Sequence, residues 1–214
     1  MPPSSPDQRR TARLVVLVSG GGTNLQALID AAVPKEGEPD YGAEIVAVGA
    51  DRDGIEGLAR AERADIPTFV VKPNDFEDRV DWDLELAEAV AAHEPDLVVL
   101  AGFMRLVGPA FLGLFGGRTI NTHPSLLPSF PGTQAPSEAL EYGVKISGAT
   151  LFVVDDGVDT GPIIAQVPVP VLDDDDVETL HERIKVSERA MLVEWVERLV
   201  HEALDQSTNP EEAS

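Results

Sequence analysis

The chain has 214 residues, no cysteine, and 38 acidic against 16 basic side chains, giving a formal net charge of −22. Hydrophobic residues make up 43% but aromatics only 5%, so the length accommodates one domain with an aliphatic core of Val, Leu, Ala and Ile. Without cysteine there are no disulfides, no thiolate catalysis and no Cys-ligated zinc, and the negative field opposes nucleic-acid backbones and anionic membranes.

Residues 1–12, rich in Pro and Ser, read as a tail. Their basic residues precede no apolar run long enough for a signal peptide, so a soluble cytoplasmic protein is expected, with no membrane and no nucleic-acid partner. The short aliphatic runs at 14–19 (LVVLVS), 44–50, 68–71, 96–102 and 118–123 predict strands buried on both faces, as in a parallel sheet. Segments 24–32, 55–64 and 76–93 carry apolar residues at helical spacing between them. This alternation predicts an α/β fold with a doubly wound, mostly parallel, Rossmann-like sheet. Two successive strand-like segments, 148–156 and 162–171, predict an antiparallel edge, and a long helix from Asp175 to Leu204 closes a single domain spanning 13–204. Carboxylates in DDDD (173–176) suit the start of that helix, and residues 205–214 read as a second tail.

Three local patterns carry chemistry. Ser19-Gly20-Gly21-Gly22-Thr23-Asn24 lies between a strand and a helix, where glycines bring backbone N–H groups close to an anion. Leu25 stands where a dinucleotide fingerprint needs a third glycine, and no Gly-Lys-Ser/Thr follows, so a small phosphate monoester suits the turn better than a nucleotide. The competing reading is a plain tight turn with Thr23 or Asn24 capping the helix. In INTHPSLLPSFPG, Asn121 and His123 project from the same side of a strand end, where α/β sheets bind ligands. His123 could transfer protons and Asn121 could donate to an oxyanion, or the histidine could be structural. A carboxylate to tune the imidazole is best supplied by Asp159, in a turn where Gly157 and Gly161 permit unusual backbone angles; Asp155 and Asp156 are weaker candidates. His93, His123, His181 and His201 have no metal-ligand spacing, and no G-x-S-x-G elbow exists, so neither a metal nor a serine hydrolase is expected.

Taken in order, VLVSGGGTNLQALID, LAGFMRLVGPAFL, NTHPSLLPSFPG and DDGVDTGPIIAQ resemble the folate-dependent phosphoribosylglycinamide formyltransferases of purine (IMP) biosynthesis over about residues 13–200. HPSLLP alone marks formyltransferases generally, including those acting on methionyl-tRNA and the formyltetrahydrofolate deformylases; the length leaves no room for the former's RNA-binding domain or the latter's regulatory one. The resemblance implies one-carbon transfer from 10-formyltetrahydrofolate, a co-substrate, to the amine of glycinamide ribonucleotide, without a metal, by a monomer or homodimer. It implies Asn121, His123 and Asp159 as the catalytic trio, and Gly22, Thr23, Asn24 and Glu188 as ribonucleotide contacts. It further implies a folate site of Arg79, Met104, Arg105, Leu106, Val107 and Asn121, with the loop of Asp155, Asp156, Gly157 and Val158. Another folate-dependent formyltransferase, or a deformylase, is the alternative. Gln134 and Phe152 stand where family members often carry histidines, which bears on pH dependence and ligand contacts.

Overall fold

The computed structural model describes residues 10–33 and 40–208. Among the described residues seven strands form one sheet: β1 (Ala12–Val18), β2 (Ala43–Ala50), β3 (Thr68–Val70), β4 (Leu97–Leu100), β5 (Thr119–His123), β6 (Ile146–Val153) and β7 (Ile163–Pro170). Their order is β3-β2-β1-β4-β5-β6-β7. β1 to β5 pair in parallel, whereas β6 runs antiparallel to β5 and to β7. The chain winds one way from β1 to β3 and the other way from β4 to β7. The carboxyl ends of β1 and β4 therefore flank the switch point at which such sheets bind ligands.

Helices α1 (Thr23–Ala32), α2 (Glu56–Arg63) and α6 (Val177–Thr208) supply one face; α3 (Arg79–Ala91) and α4 (Pro109–Phe115) supply the other. β1 explains the unbroken apolar run: Leu14, Val16 and Val18 pack with Leu25, Leu28 and Ile184, while Val15 and Leu17 pack with Trp82, Leu86 and Phe111. Each such side chain, removed from water on burial, stabilises the fold by roughly 1.5–3 kcal/mol.

Several boundaries differ from expectation for local reasons. α3 begins at Arg79, not at residue 76, because Asp78 caps it, accepting from the N–H groups of Val80 (2.8 Å) and Asp81 (3.0 Å). α6 begins at Val177, two residues late, because Asp176 and Thr179 bond reciprocally: Thr179 N–H donates to Asp176 Oδ1 (2.8 Å) and Asp176 N–H to Thr179 Oγ1 (2.9 Å). α6 continues through Thr208, beyond the expected end at Leu204. β6 begins two residues before the expected Gly148. The two expected tails lie mostly outside the described residues, although Ala12 is already paired in β1 and Arg10 forms an ion pair with Asp96 at 2.7 Å.

Two short helices left no periodic signal in the sequence, namely α4 and α5 (Ala135–Tyr142). The first turn of α4 is stabilised from a distance: the buried Asp83 carboxylate on α3 accepts from the N–H groups of Gly108 (2.5 Å), Ala110 (2.9 Å) and Phe111 (3.1 Å). α5 buries only the small residues Ala135, Pro136 and Ala139.

Candidate active site

A cleft of about 420 Å³ opens beyond the carboxyl ends of β4 and β5. Asn121, Thr122 and His123 line it from β5, residues 102–107 from the segment after β4, and Asp155, Gly157, Val158 and Asp159 from the β6–β7 connection. Parallel pairing aligns Leu100 with Asn121, and antiparallel pairing sets Asn121 opposite Phe152 and His123 opposite Thr150. Sheet register thus brings three distant segments together.

His123 is buried, with 4% of its surface exposed. Its Nδ1 lies 3.4 Å from Asp159 Oδ2, and its Nε2 lies 2.7 Å from the carbonyl oxygen of Phe130. The same Asp159 oxygen accepts from the Gly132 N–H at 2.7 Å. The proline-rich segment therefore doubles back: Ser125 N–H donates to His123 O at 2.9 Å, and Ser125 Oγ to Ser129 O at 2.5 Å. The Leu127–Pro128 peptide is cis.

In the Asp159 turn the unusual backbone angle belongs to Asp159 itself, at φ 55°, and not to its glycine neighbours. Asp tolerates this left-handed conformation better than most residues. Gly157 and Gly161 are required for space: a Cβ would collide with Thr160 Oγ1 at the first and with Val153 O at the second. Asp155 Oδ1 ties the turn by accepting from Thr160 Oγ1 (2.8 Å) and Gly157 N–H (3.1 Å). Asp156 is exposed and does not line the cleft.

The glycine turn lies beside this cleft without lining it. Gly22 caps α1 at φ 67°, and neither Thr23 nor Asn24 supplies a side-chain cap. A Cβ at Gly22 would meet the Gly57 Cα at 2.7 Å, so the turn is packed against α2, whose Arg60 also donates to Gly21 O at 2.8 Å. Asn24 turns inward: its Nδ2 donates to Glu188 Oε1 at 2.7 Å and to Thr122 Oγ1 at 3.3 Å. Thr122 Oγ1 also donates to Glu188 Oε1. Glu188 is buried on α6, so one carboxylate connects the turn after β1, the middle of β5 and α6.

Met104, Arg105, Leu106 and Val107 all line the cleft. Met104 and Leu106 are 66% and 51% exposed, an arrangement unlike core packing, while Val107 is buried. Ser19 Oγ accepts from Met104 N–H at 2.9 Å, and Arg105 Nε donates to the buried Asp51 at 2.7 Å. Burial pushes the Asp51 carboxyl up, but hydrogen bonds from Arg52, Arg105 and Ser19 outweigh it and hold the group below the usual carboxylate range. Arg79 is exposed; it donates to Leu106 O and supports the wall from outside the cleft.

Sequence reasoning did not single out Thr122, Val177, His181 or the Phe130 carbonyl. Burial, then Lys185, lowers the His181 pKa. Its sequence signal was faint, since it lies on the first turns of a long polar helix. Gln134 and Phe152, the two positions marked by departure from the family pattern, both line the cleft. Among the described residues no helix is long and apolar enough to cross a membrane, and no group of three or more His, Cys, Asp or Glu side chains is arranged to hold a metal ion.

Residues 12–196 match the family model described as formyl transferase. The chain is 57% identical over 199 residues to phosphoribosylglycinamide formyltransferase of Mycobacterium tuberculosis, covering 93% of this chain and 87% of that one. It is 43% identical over 181 residues to the human trifunctional purine biosynthetic protein adenosine-3, covering 85% of this chain and 18% of that much longer one. The crystal structure of glycinamide ribonucleotide transformylase 1 from Symbiobacterium toebii superposes with a TM-score of 0.85 at 42% identity, covering 91% of this chain and 90% of that one. These likenesses place the chain in the formyl transferase family, among the phosphoribosylglycinamide formyltransferases.

Proposed function

We propose that the cleft transfers a formyl group from 10-formyltetrahydrofolate to the amine of 5-phosphoribosylglycinamide, a step of purine biosynthesis. Family membership implies a folate-derived formyl donor. The observation that carries the reading is the convergence of Asn121, His123 and Asp159 on one cleft, beside the Glu188–Asn24 pair that joins it to the glycine turn. Gly22, Thr23 and Asn24 hold the phosphate at the amino end of α1, and Glu188 meets the ribonucleotide. Among the described residues Asn24 Oδ1 is buried without a protein partner, which leaves an acceptor for a bound molecule. The exposed apolar side chains of Met104 and Leu106 form, with Val107 and Val158, a wall for the flat heterocycle of the folate, with Arg105 beside it and Arg79 supporting the wall through Leu106 O.

The chemistry follows from the groups present. The substrate amine attacks the formyl carbon, a C–N bond forms, and the carbonyl oxygen takes the electron pair. The Asn121 amide and the imidazole, in its charged form, stabilise that oxygen; losing one such donor typically costs on the order of 100- to 1000-fold in turnover. Collapse of the intermediate breaks the bond to folate N10, and the proton lost by the amine is returned to N10 through His123 and Asp159. The folate brings the formyl group already activated, so these residues need only orient it and move protons.

The test is release of deformylated folate by purified protein, measured with and without glycinamide ribonucleotide. Release that depends on the ribonucleotide is expected. Equal release without it would instead make the protein a deformylase, and no release with it would overturn the proposal.

A further inference from the structure

A carbonyl oxygen can only accept a hydrogen bond, so the nitrogen facing it must carry hydrogen. Phe130 O lies 2.7 Å from His123 Nε2, which is therefore an N–H in both charge states of the ring. Nδ1 is then the only ring nitrogen free to bind or release a proton, and it does so 3.4 Å from Asp159 Oδ2.

What holds this carbonyl in place is unusual. Four non-glycine residues among those described have positive φ: Asp65, Glu94, Phe130 and Asp159. Two of these four bracket the imidazole, one at each nitrogen, both at φ 55°. For Asp the left-handed region is a minor cost, whereas for a bulky aromatic residue it is an outlier that surrounding contacts must enforce. Those contacts are present. The Phe130 ring packs edge-on to Tyr142 at 6.0 Å, Ser125 Oγ bonds the adjacent Ser129 carbonyl, and two residues on Gly132 N–H is fixed to Asp159.

We propose that Phe130 is a positioning residue for formyl transfer. Its backbone, held in the left-handed conformation, fixes the Nε2–H tautomer of His123 and so makes Nδ1, beside Asp159, the nitrogen that handles the proton. The inference rests on the catalytic reading above and deepens it, because it names the reacting atom and the group that selects it. It also gives Ser125–Gly132 a chemical role, since the segment returns to His123 as a backbone acceptor on one side and anchors the carboxylate on the other.

The test uses full-length protein labelled with ¹⁵N-histidine, together with two variants that remove the same ring. Above the pH range of imidazole titration, wild-type His123 should show a protonated Nε2 and an unprotonated Nδ1. Phe130→Gly adopts the left-handed conformation freely and keeps the carbonyl, so it should retain this signature and the higher kcat of the two variants. Phe130→Val resists that conformation, so it should lose the signature and show a kcat on the order of 10- to 100-fold below that of Phe130→Gly, with KM for both substrates within about twofold between the two variants. Equal kcat for the two variants would overturn the proposal. A protonated Nδ1 in active wild-type protein would overturn it too, and that measurement stands even if Phe130→Val does not fold. Absence of formyl transfer by wild-type protein would sink the catalytic reading and the role of Nδ1 with it, a failure distinct from a wrong tautomer in a working enzyme.

Discussion

The ends of β1 and β5 face the same region of the molecule but are built on opposite plans. After β1 the chain sheds side chains: a Cβ at Gly20 or Gly21 would meet nothing within 4 Å, and Gly22 has no room for one. What remains is backbone held from below by α2, and on the proposed reading the N–H groups of that backbone meet the phosphate. After β5 the chain keeps its side chains and fixes them; His123 is buried between a carbonyl and a carboxylate. The contrast teaches a division of labour. At the first end only Gly22 tolerates no added side chain, whereas at the second the reacting side chain is fixed from both nitrogens.

Substitutions that respect this division should separate rate from affinity. Asp159→Asn preserves size and an acceptor for Gly132 N–H but removes the charge beside Nδ1. Steady-state kinetics should show turnover lower on the order of 100-fold with the ribonucleotide KM nearly unchanged. Gly22→Ala should do the reverse. The alanine would be strained at φ 67° and would press on the Gly57 backbone at 2.7 Å. Strain of about 1–3 kcal/mol predicts a ribonucleotide KM higher by roughly 5- to 150-fold, with kcat within about threefold. If both variants shift the same parameter, the two strand ends do not divide the work as described.

The smallest expected effect lies away from both ends and serves as a control. Arg183 donates to Asp175 through Nη2 (2.6 Å) and Nη1 (2.7 Å) just before α6. The hydrogen bond from Arg183 outweighs burial and holds the Asp175 carboxyl far below its ordinary 3.8. A carboxyl whose pKa is depressed on folding stabilises the protein above its unfolded value, and that stability is lost as pH falls through the folded one. Asp175→Asn should therefore be less stable than wild type near neutral pH, and the gap should narrow as pH falls below 3.8. Denaturant titrations at several pH values check this, and kinetic constants should stay within about twofold of wild type.

Much of this was legible in the sequence because local rules and the global fold agree. The unbroken run of β1 announced burial on both faces, as Leu17 and Val18 show by packing into opposite layers. The spacing of Asn121 and His123 announced a shared face, and Asp159 does come to 3.4 Å from the imidazole. What escaped was long-range or backbone in origin. Asp83 stabilises α4 from another helix, Asp51 grips Arg105 across the sheet, and the inward turn of Asn24 depends on Glu188 from the last helix. The Phe130 carbonyl could not have been found by residue type at all, since every residue carries one. Only the fold decides which carbonyl reaches a histidine.

The claim that His123 reacts and does not bind can be tested most directly with His123→Ala. Single-turnover formyl transfer, with both substrates saturating, would be measured beside the equilibrium affinity for glycinamide ribonucleotide. We expect transfer to fall on the order of 100- to 10,000-fold while the affinity stays within about tenfold. Transfer within a few-fold of wild type, or an affinity loss as large as the rate loss, would contradict the assignment.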